Sequence, residues 1–120
     1  MKNNSSSRRL DFVVKQDLKP SILRAYLSQN PASTSTTFII SYDRPLTETN
    51  FTIDVYDCFG RRWWHHSESS SSNGIYTIPW NLSTDGGIAL PDGLYLYRVR
   101  ISTADSKQST KTEKLVIHRQ

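Results

Sequence analysis

Cysteine is almost absent from this chain, in which Cys58 is the only one. A disulfide within the chain and a zinc site built from cysteines are therefore excluded. Long apolar runs are missing as well, since no stretch approaches the roughly 20 apolar residues that a membrane-spanning helix needs. The N-terminal residues MKNNSSSRRL lack the apolar core of a signal peptide, so the sequence alone states no compartment.

Glycine and proline are scarce, with five of each among 120 residues, but they separate short runs of β-branched and aromatic residues. Short alternating runs bounded by turn residues predict strands, and strands recurring about every 8–12 residues are typical of a sandwich. The sequence therefore predicts an all-β fold, an Ig-like antiparallel β-sandwich of roughly seven to eight short strands.

The predicted strands cover residues 10–14, 22–27, 38–42, 51–56, 61–66, 75–80, 94–103 and 113–118. Residues 1–9 are polar and are expected to form a disordered tail or an expression remnant, while residues 10–120 form the sandwich. The Ser-rich segment 67–74 is predicted to be a flexible loop, and residues 104–109 a polar connection.

The stretch 80–97, WNLSTDGGIALPDGLYLY, has the densest set of turn residues in the chain. Its glycines Gly86, Gly87 and Gly93 are expected to adopt positive φ, and the turn at 91–93 sets the start of the next strand. The ring of Trp80 is predicted to be part of the core. The stretch is therefore interpreted as an ordered clasp between two strands.

The charged residues do not indicate a nucleic-acid-binding protein, because the net charge of +4 is spread along the chain rather than gathered in one run. His65 and His66 are neighbours on a predicted strand and point to opposite faces, and His118 is distant in sequence, so no metal site is predicted. Cys58 has no base and orienting group that spacing guarantees, so no catalytic residue is predicted.

Two ligand sites remain alternatives at this point. Asn81, Asp85 and Asp92 could surround calcium, although their spacing differs from the EF-hand loop and local capping explains them equally well. An aromatic platform for sugar rings is the other alternative, because at least one of two adjacent tryptophans should face outward; its members would be Trp63, Trp64, Tyr76 and Trp80. No cofactor is predicted.

The clasp resembles the Ig-like domain of the flagellar hook-cap family, in which a Trp leads through a D-x-x-G loop into a P-x-G-x-Y-x-Y strand. The residues that carry this resemblance are Trp80, Asp85, Gly87, Gly93, Tyr95 and Tyr97. The sequence departs from the pattern at Leu82, where the family usually has Gly, and at Thr84, where it favours Asp.

Four sequence elements, in the same order along the chain, also resemble the C-terminal domains of type IX secretion proteins. They are Asn30-Pro31-Ala32, the hairpin VYDCFGR with Gly60 and Arg61, the G-x-Y element at Gly93, and KLVI at 114–117. The first proline of the family's PNPA element is replaced here by Gln29. Among carriers of such domains, the resemblance is strongest to the gingipain-type sortases.

The resemblance implies a non-catalytic C-terminal sorting or docking module at the extracellular side of the outer membrane. Its implied partners are the type IX translocon, outer-membrane shuttle proteins and an upstream domain of the same polypeptide. The sortase's catalytic cysteine and histidine would lie in that upstream domain. A structural or adhesive Ig-like module and a carbohydrate-binding module are the alternatives.

Docking is predicted at the final strand and at the tryptophan pair. A strand at the end of a chain offers unpaired backbone groups to a partner, and an exposed tryptophan is a frequent contact residue. The predicted docking residues are Lys114, Leu115, Val116, Ile117, Trp63 and Trp64.

Overall fold

The computed structural model describes residues 19–105 and 107–119, and within them seven strands pack as two antiparallel sheets without a helix. The strands are β1 (Ile22–Leu27), β2 (Thr36–Tyr42), β3 (Thr49–Asp57), β4 (Arg62–Ser70), β5 (Ile75–Trp80), β6 (Gly93–Thr103) and β7 (Gln108–Ile117). The predicted all-β sandwich is thereby confirmed. The tail 1–9 and the predicted strand 10–14 lie outside the described residues.

The two sheets have strand orders β1-β2-β5 and β4-β3-β6-β7. Every named pair is antiparallel. A constant-type Ig domain places its fourth strand with the first, second and fifth. Here β4 instead pairs with β3, so the larger sheet carries both the hairpin β3–β4 and the final strand.

The core lies between the inner faces of the two sheets. In β2 every second residue is buried, which is the alternation expected of a strand with one face on the core. Phe38, Phe51 and Val99 are completely buried. Phe38 sits at the centre of an aromatic cluster, with its ring centroid 5.6 Å from that of Trp80 and 5.3 Å from that of Tyr97.

Two strands are longer than the sequence predicts. β4 continues to Ser70 and β7 begins at Gln108, so the predicted loop 67–74 is wrong over residues 67–70 and the predicted connection 104–109 is wrong at residues 108 and 109. Ser70 pairs with Thr49 and Ser109 pairs with Ile101. The serines and threonines of these segments give no apolar alternation that would predict a strand. The neighbouring strand nevertheless supplies backbone hydrogen-bond partners, and this pairing outweighs the side chains' own preference for a loop.

The sandwich has two distinct ends. At the end where the described chain begins, which we call the proximal end, Ser21 exchanges backbone and side-chain hydrogen bonds with Asp43, and Ser109 donates its hydroxyl to the Pro20 carbonyl. The opposite, distal end carries the turn 58–61, the loop 81–92 and the residues after β7. The described chain therefore enters the sandwich at the proximal end.

Candidate docking groove at the distal end

Asp57 organises the tight turn between β3 and β4. Its Oδ1 accepts hydrogen bonds from the backbone nitrogens of Phe59 at 2.8 Å and Arg61 at 3.0 Å. Its Oδ2 accepts from Arg61 Nε at 2.8 Å and from Trp63 Nε1 at 3.0 Å. Gly60 has φ of 86°, a backbone conformation that glycine adopts without steric cost. The VYDCFGR element is thus a turn built around one carboxylate.

These four donors also decide the charge state of the turn. Partial burial acts to raise the pKa of Asp57, but the hydrogen bonds from Arg61, Trp63 and Phe59 outweigh it and lower the pKa to about 2. Hydrogen bonds to the charged form of a carboxyl favour that form. Asp57 is therefore a carboxylate at neutral pH with its acceptor sites already occupied.

The clasp forms the second wall of the distal end. Trp80 is 4% exposed, and its Nε1 donates to the Ser83 carbonyl at 3.0 Å. The loop folds back on itself, since Leu90 N donates to Leu82 O at 2.9 Å and Thr84 N donates to Ile88 O at 2.8 Å. The predicted ordered clasp is present, with its tip held by local backbone hydrogen bonds.

The backbone conformation of the clasp differs in detail from the prediction. Gly87 has φ of 86° and Gly93 has φ of 157°, but Gly86 does not have positive φ, so the expectation for Gly86 was wrong. Leu82 has φ of 61° and is completely buried. A residue other than glycine adopts this left-handed backbone region at a cost in free energy. This cost explains why the hook-cap pattern usually has glycine at the position of Leu82.

The two tyrosines of the clasp have separate roles. The Tyr95 hydroxyl donates to the Pro91 carbonyl at 2.6 Å, a link from the start of β6 to the residues just before it, as in the tyrosine corner of Ig domains. Tyr97 is 2% exposed, and burial raises its pKa to about 12. Both rings fix the loop and the core rather than a ligand site.

An open groove of about 440 Å³ lies between the turn 58–61 and the clasp; we call it the distal groove. Four of its apolar side chains are exposed: Phe59 by 85%, Trp63 by 36%, Ile88 by 71% and Leu94 by 46%. Cys58 is also exposed on its wall, with Sγ 3.2 Å from the Leu94 carbonyl oxygen. The groove is the largest concentration of exposed apolar side chains that the distal end presents in the described residues.

Arg61 is the cation of this groove. Its guanidinium lies 5.7 Å from the Phe59 ring centroid and 5.4 Å from that of Trp63. The side chain is 66% exposed although its Nε is bonded to Asp57. The guanidinium of Arg61 is therefore open to solvent, and a ligand carboxylate could accept hydrogen bonds from its terminal nitrogens.

The final strand is less open than the sequence predicts. Asn30 Nδ2 donates to the Lys114 carbonyl and Asn30 Oδ1 accepts from Val116 N, both at 3.0 Å. Ala32 N donates to Val116 O at 2.8 Å, and His118 N donates to Ala32 O at 2.9 Å. The assumption of unpaired backbone groups is thus wrong for this part of β7.

The Asn30-Pro31-Ala32 element supplies those bonds from outside the strand ladder. The peptide bond between Asn30 and Pro31 is cis, and Ala32 forms an isolated parallel bridge with Ile117. Leu115 and Ile117 point into the core, with exposures of 0% and 1%. Of the four β7 residues predicted to dock, Lys114 has an exposed side chain and Val116 a partly exposed one.

The other edge of the larger sheet is covered as well. Asp85 Oδ1 accepts from the backbone nitrogen of His65 at 3.0 Å, and Asp85 N donates to the Trp63 carbonyl at 3.2 Å. The clasp therefore occupies the outer hydrogen-bonding groups of β4 at Trp63 and His65. Edges covered in this way are protected from pairing with a strand of another chain.

The two neighbouring tryptophans have different environments. Trp64 stacks on Phe38, with ring centroids 5.6 Å apart and an interplanar angle of 5°, and packs 5.0 Å from Trp80. Tyr76 is 5% exposed. The predicted aromatic platform is therefore not formed, because its other members are buried or partly buried and Trp63 alone is at the surface. A sugar-binding role for Trp63 stays a prediction.

The histidines and the candidate calcium residues are dispersed. Each histidine contacts a different acid: His65 Nδ1 is 2.6 Å from Asp54, His66 Nε2 is 3.2 Å from Glu68, and His118 Nδ1 is 4.0 Å from Asp92. Asp92 accepts from the backbone and guanidinium of Arg119, and Asp85 is bonded to His65. Within residues 19–105 and 107–119, no three histidine, cysteine or acidic side chains are grouped to hold a metal.

Sequence reasoning missed Phe59, Ile88 and Leu94 as members of one surface. These residues lie in a turn, a loop and a strand, and only the folded chain brings them together. A signal was nevertheless present, because Phe59 and Ile88 are large apolar residues inside turn-forming segments where burial is difficult. No helix in the described residues is long and apolar enough to span a membrane.

Similarity to known proteins appears in structure rather than in sequence searches. No protein-family model and no curated protein matches the chain. A crystal structure of dimeric latent PorU from Porphyromonas gingivalis is similar, with 28% identity over 80% of this chain and a TM-score of 0.71. The match covers 9% of the PorU chain, so this sequence corresponds to a small part of that protein.

Two further solved structures share the fold. FlgD from Xanthomonas campestris is 13% identical, covering 82% of this chain and 67% of FlgD, with a TM-score of 0.56. The C-terminal domain of Wzt is 14% identical, covering 85% of this chain and 74% of that domain, with a TM-score of 0.57. These two show the Ig-like fold alone. Together with the PorU match, they support a PorU-like Ig domain built on a hook-cap type of sandwich.

Proposed function

We propose that this chain is a non-catalytic C-terminal docking module that sorts a longer polypeptide along the type IX secretion route to the bacterial cell surface. The similarity to PorU at 28% identity and a TM-score of 0.71 carries the proposal. The parent polypeptide would be a gingipain-type sortase whose catalytic residues lie upstream. The translocon and outer-membrane shuttle proteins are the partners.

The two ends of the sandwich support a docking role. An upstream domain would join at the proximal end, beside Pro20 and Ser109. The distal groove then faces away from that domain, together with Trp63 and the side chain of Lys114. A partner could contact the distal end without displacing the rest of the polypeptide.

Docking by addition of a strand to β7 is disfavoured where Asn30 and Ala32 already bond Val116. A partner would use side chains of this end instead, or would first displace residues 30–32. The sorting signal is thus the folded surface and not a bare strand edge.

A reporter fusion tests the proposal. A secreted fluorescent protein is joined upstream of residue 1 and produced in a bacterium with a type IX system, beside the same reporter without the domain. We expect the domain to bring the reporter to the surface, where added protease removes it from intact cells, and the bare reporter to remain periplasmic. Equal surface delivery of both would refute the sorting role.

A structural or adhesive Ig-like module is the second candidate, and the covered sheet edges favour it. Asn30 and Asp85 each protect part of one edge of the larger sheet, as suits a spacer between domains. In the reporter experiment, this candidate predicts that the reporter stays in the periplasm both with and without the domain.

A further inference from the structure

We propose that the distal groove binds an extended peptide segment of another protein, one that places large apolar side chains next to a carboxylate. This inference goes beyond the proposed function, because such binding is a property of the purified domain whether or not the domain sorts a parent. It concerns Phe59, Ile88, Leu94 and Arg61, to which the sequence assigned no shared binding role.

The first step is the apolar surface. Phe59, Ile88 and Leu94 are 85%, 71% and 46% exposed, so none of them contributes much to the core. Single exposed apolar residues are ordinary, but these three line one concavity of about 440 Å³ together with Trp63. That volume lies in the range of about 300–1,000 Å³ found for ligand sites. The occupant must therefore offer apolar side chains.

The second step is the charge of the groove. Its two acids are already bonded, since Asp57 accepts four hydrogen bonds and Asp92 accepts from Arg119. Arg61, in contrast, is 66% exposed and holds its guanidinium over the rings of Phe59 and Trp63, while its Nε donates to Asp57. The groove offers hydrogen-bond donors to an anion and no vacant carboxylate to a cation. A carboxylate is the complementary group.

The third step is the surface that continues from Leu94 down the outer face of the larger sheet. Leu96 follows on the same face. Lys114 lies opposite Leu96 on β7, Arg98 and Arg100 follow further along β6, and Arg62 pairs with Tyr56, which is the β3 neighbour of Leu96. Asp54, the acid of this face, is 2% exposed and contacts Arg62 at 3.4 Å and Arg98 at 3.7 Å. An extended segment leaving the groove along this face would meet basic side chains, which favours an acidic peptide.

The groove contains its own reporter. Cys58 is the only cysteine of the chain, is exposed and lies on the groove wall. The rate at which a thiol reagent modifies Cys58 in the purified 120-residue chain therefore measures occupation of the groove. The probe is acetyl-Leu-Asp-Phe-Leu-amide, and its matched control carries Asn in place of Asp.

We expect saturable protection of Cys58 by the Asp peptide and about five- to tenfold weaker protection by the Asn peptide, as for a charge-assisted hydrogen bond at a partly exposed site. Ile88→Ser and Leu94→Ser should each weaken protection by about tenfold or more. Leu46→Ser, at a residue 75% exposed near the proximal end, should leave it unchanged. Arg61→Gln should remove the difference between the peptides.

Three outcomes would overturn the proposal. The first is absence of protection by either peptide up to millimolar concentration. The second is equal protection by both peptides, which would exclude the carboxylate. The third is protection that rises with protein concentration alone, which would identify a second copy as the occupant. The peptide comparison stands even if Arg61→Gln does not fold, because it uses the unmodified chain.

Discussion

The side-chain oxygen of Asn30 accepts a hydrogen bond at 3.0 Å from the backbone nitrogen of Val116, 86 residues further along the chain. The same amide donates from Nδ2 to the Lys114 carbonyl. One short side chain thus substitutes for a neighbouring strand at the edge of β7.

Replacing Asn30 tests this contact. Asn30→Ala should lower the free energy of unfolding by about 1–2 kcal/mol, because two backbone groups of β7 lose their partner. Asn30→Asp keeps the acceptor for Val116 N, so its loss of unfolding free energy should be smaller than that of Asn30→Ala. Urea unfolding measures both values, and equal stability of the alanine variant and the wild type would contradict the bracing role.

Trp80→Ala should cost about 3–5 kcal/mol of unfolding free energy, because a ring that is 4% exposed and packed against Phe38 and Trp64 is removed. Phe59→Ala is the control: its ring is 85% exposed, and the change should stay within about 0.5 kcal/mol. Thermal or urea unfolding followed by circular dichroism compares the two. A loss below about 1 kcal/mol for Trp80→Ala would show that the ring is not part of the core.

Leu82 offers a test of backbone strain. In the middle of a helix or strand, glycine makes a protein less stable than alanine does by about 0.5–1 kcal/mol. At Leu82, with φ of 61°, alanine retains the strain and glycine relieves it. Both variants lose the buried side chain, yet Leu82→Gly should be at least as stable as Leu82→Ala in urea unfolding. A lower stability of Leu82→Gly than of Leu82→Ala would argue against a positive φ at this position.

The turn 57–61 should depend on acid pH through Asp57. The pKa of Asp57 in the folded chain is about 2, below the ordinary value of 3.8, so its contribution to stability is complete above pH 3.8 and is lost as the pH falls toward 2. We expect Trp63, whose Nε1 bonds this carboxylate, to report the change in its NMR indole signal. In Asp57→Asn, the pH-dependent change of the Trp63 indole signal should vanish. A midpoint of that change near pH 4 in the wild type would contradict the lowered pKa of Asp57.

The parts of the fold that local chemistry determines could be predicted from the sequence. The turn at 91–93 correctly places the start of β6, and alternation around Phe38 and Phe51 correctly assigns β2 and β3. The extended part of β4 could not be predicted, because its serines have no strand periodicity and pair only through the backbone of β3.

The distal groove and the contacts that cover the sheet edges were less predictable for a related reason. Asn30 and Asp85 each bond backbone groups distant in sequence, and no local pattern specifies such a contact. The same holds for Phe59 and Ile88, which line one groove only after two loops are folded. The family pattern marked the residues that shape these loops, but not the exposed side chains that the loops present.

The position of the last described residue has a practical consequence for experiments. Arg119 donates to Asp92 and to the Leu90 carbonyl, so the last described residue lies against the clasp and beside the groove. An affinity tag or fluorophore attached after residue 120 would therefore crowd the surface under study, and a polyhistidine or acidic tag could imitate a ligand there. The first described residues, next to Ser109, lie at the other end of the sandwich, about a strand length from Arg61 and Cys58, so a label joined upstream of them is attached away from the groove.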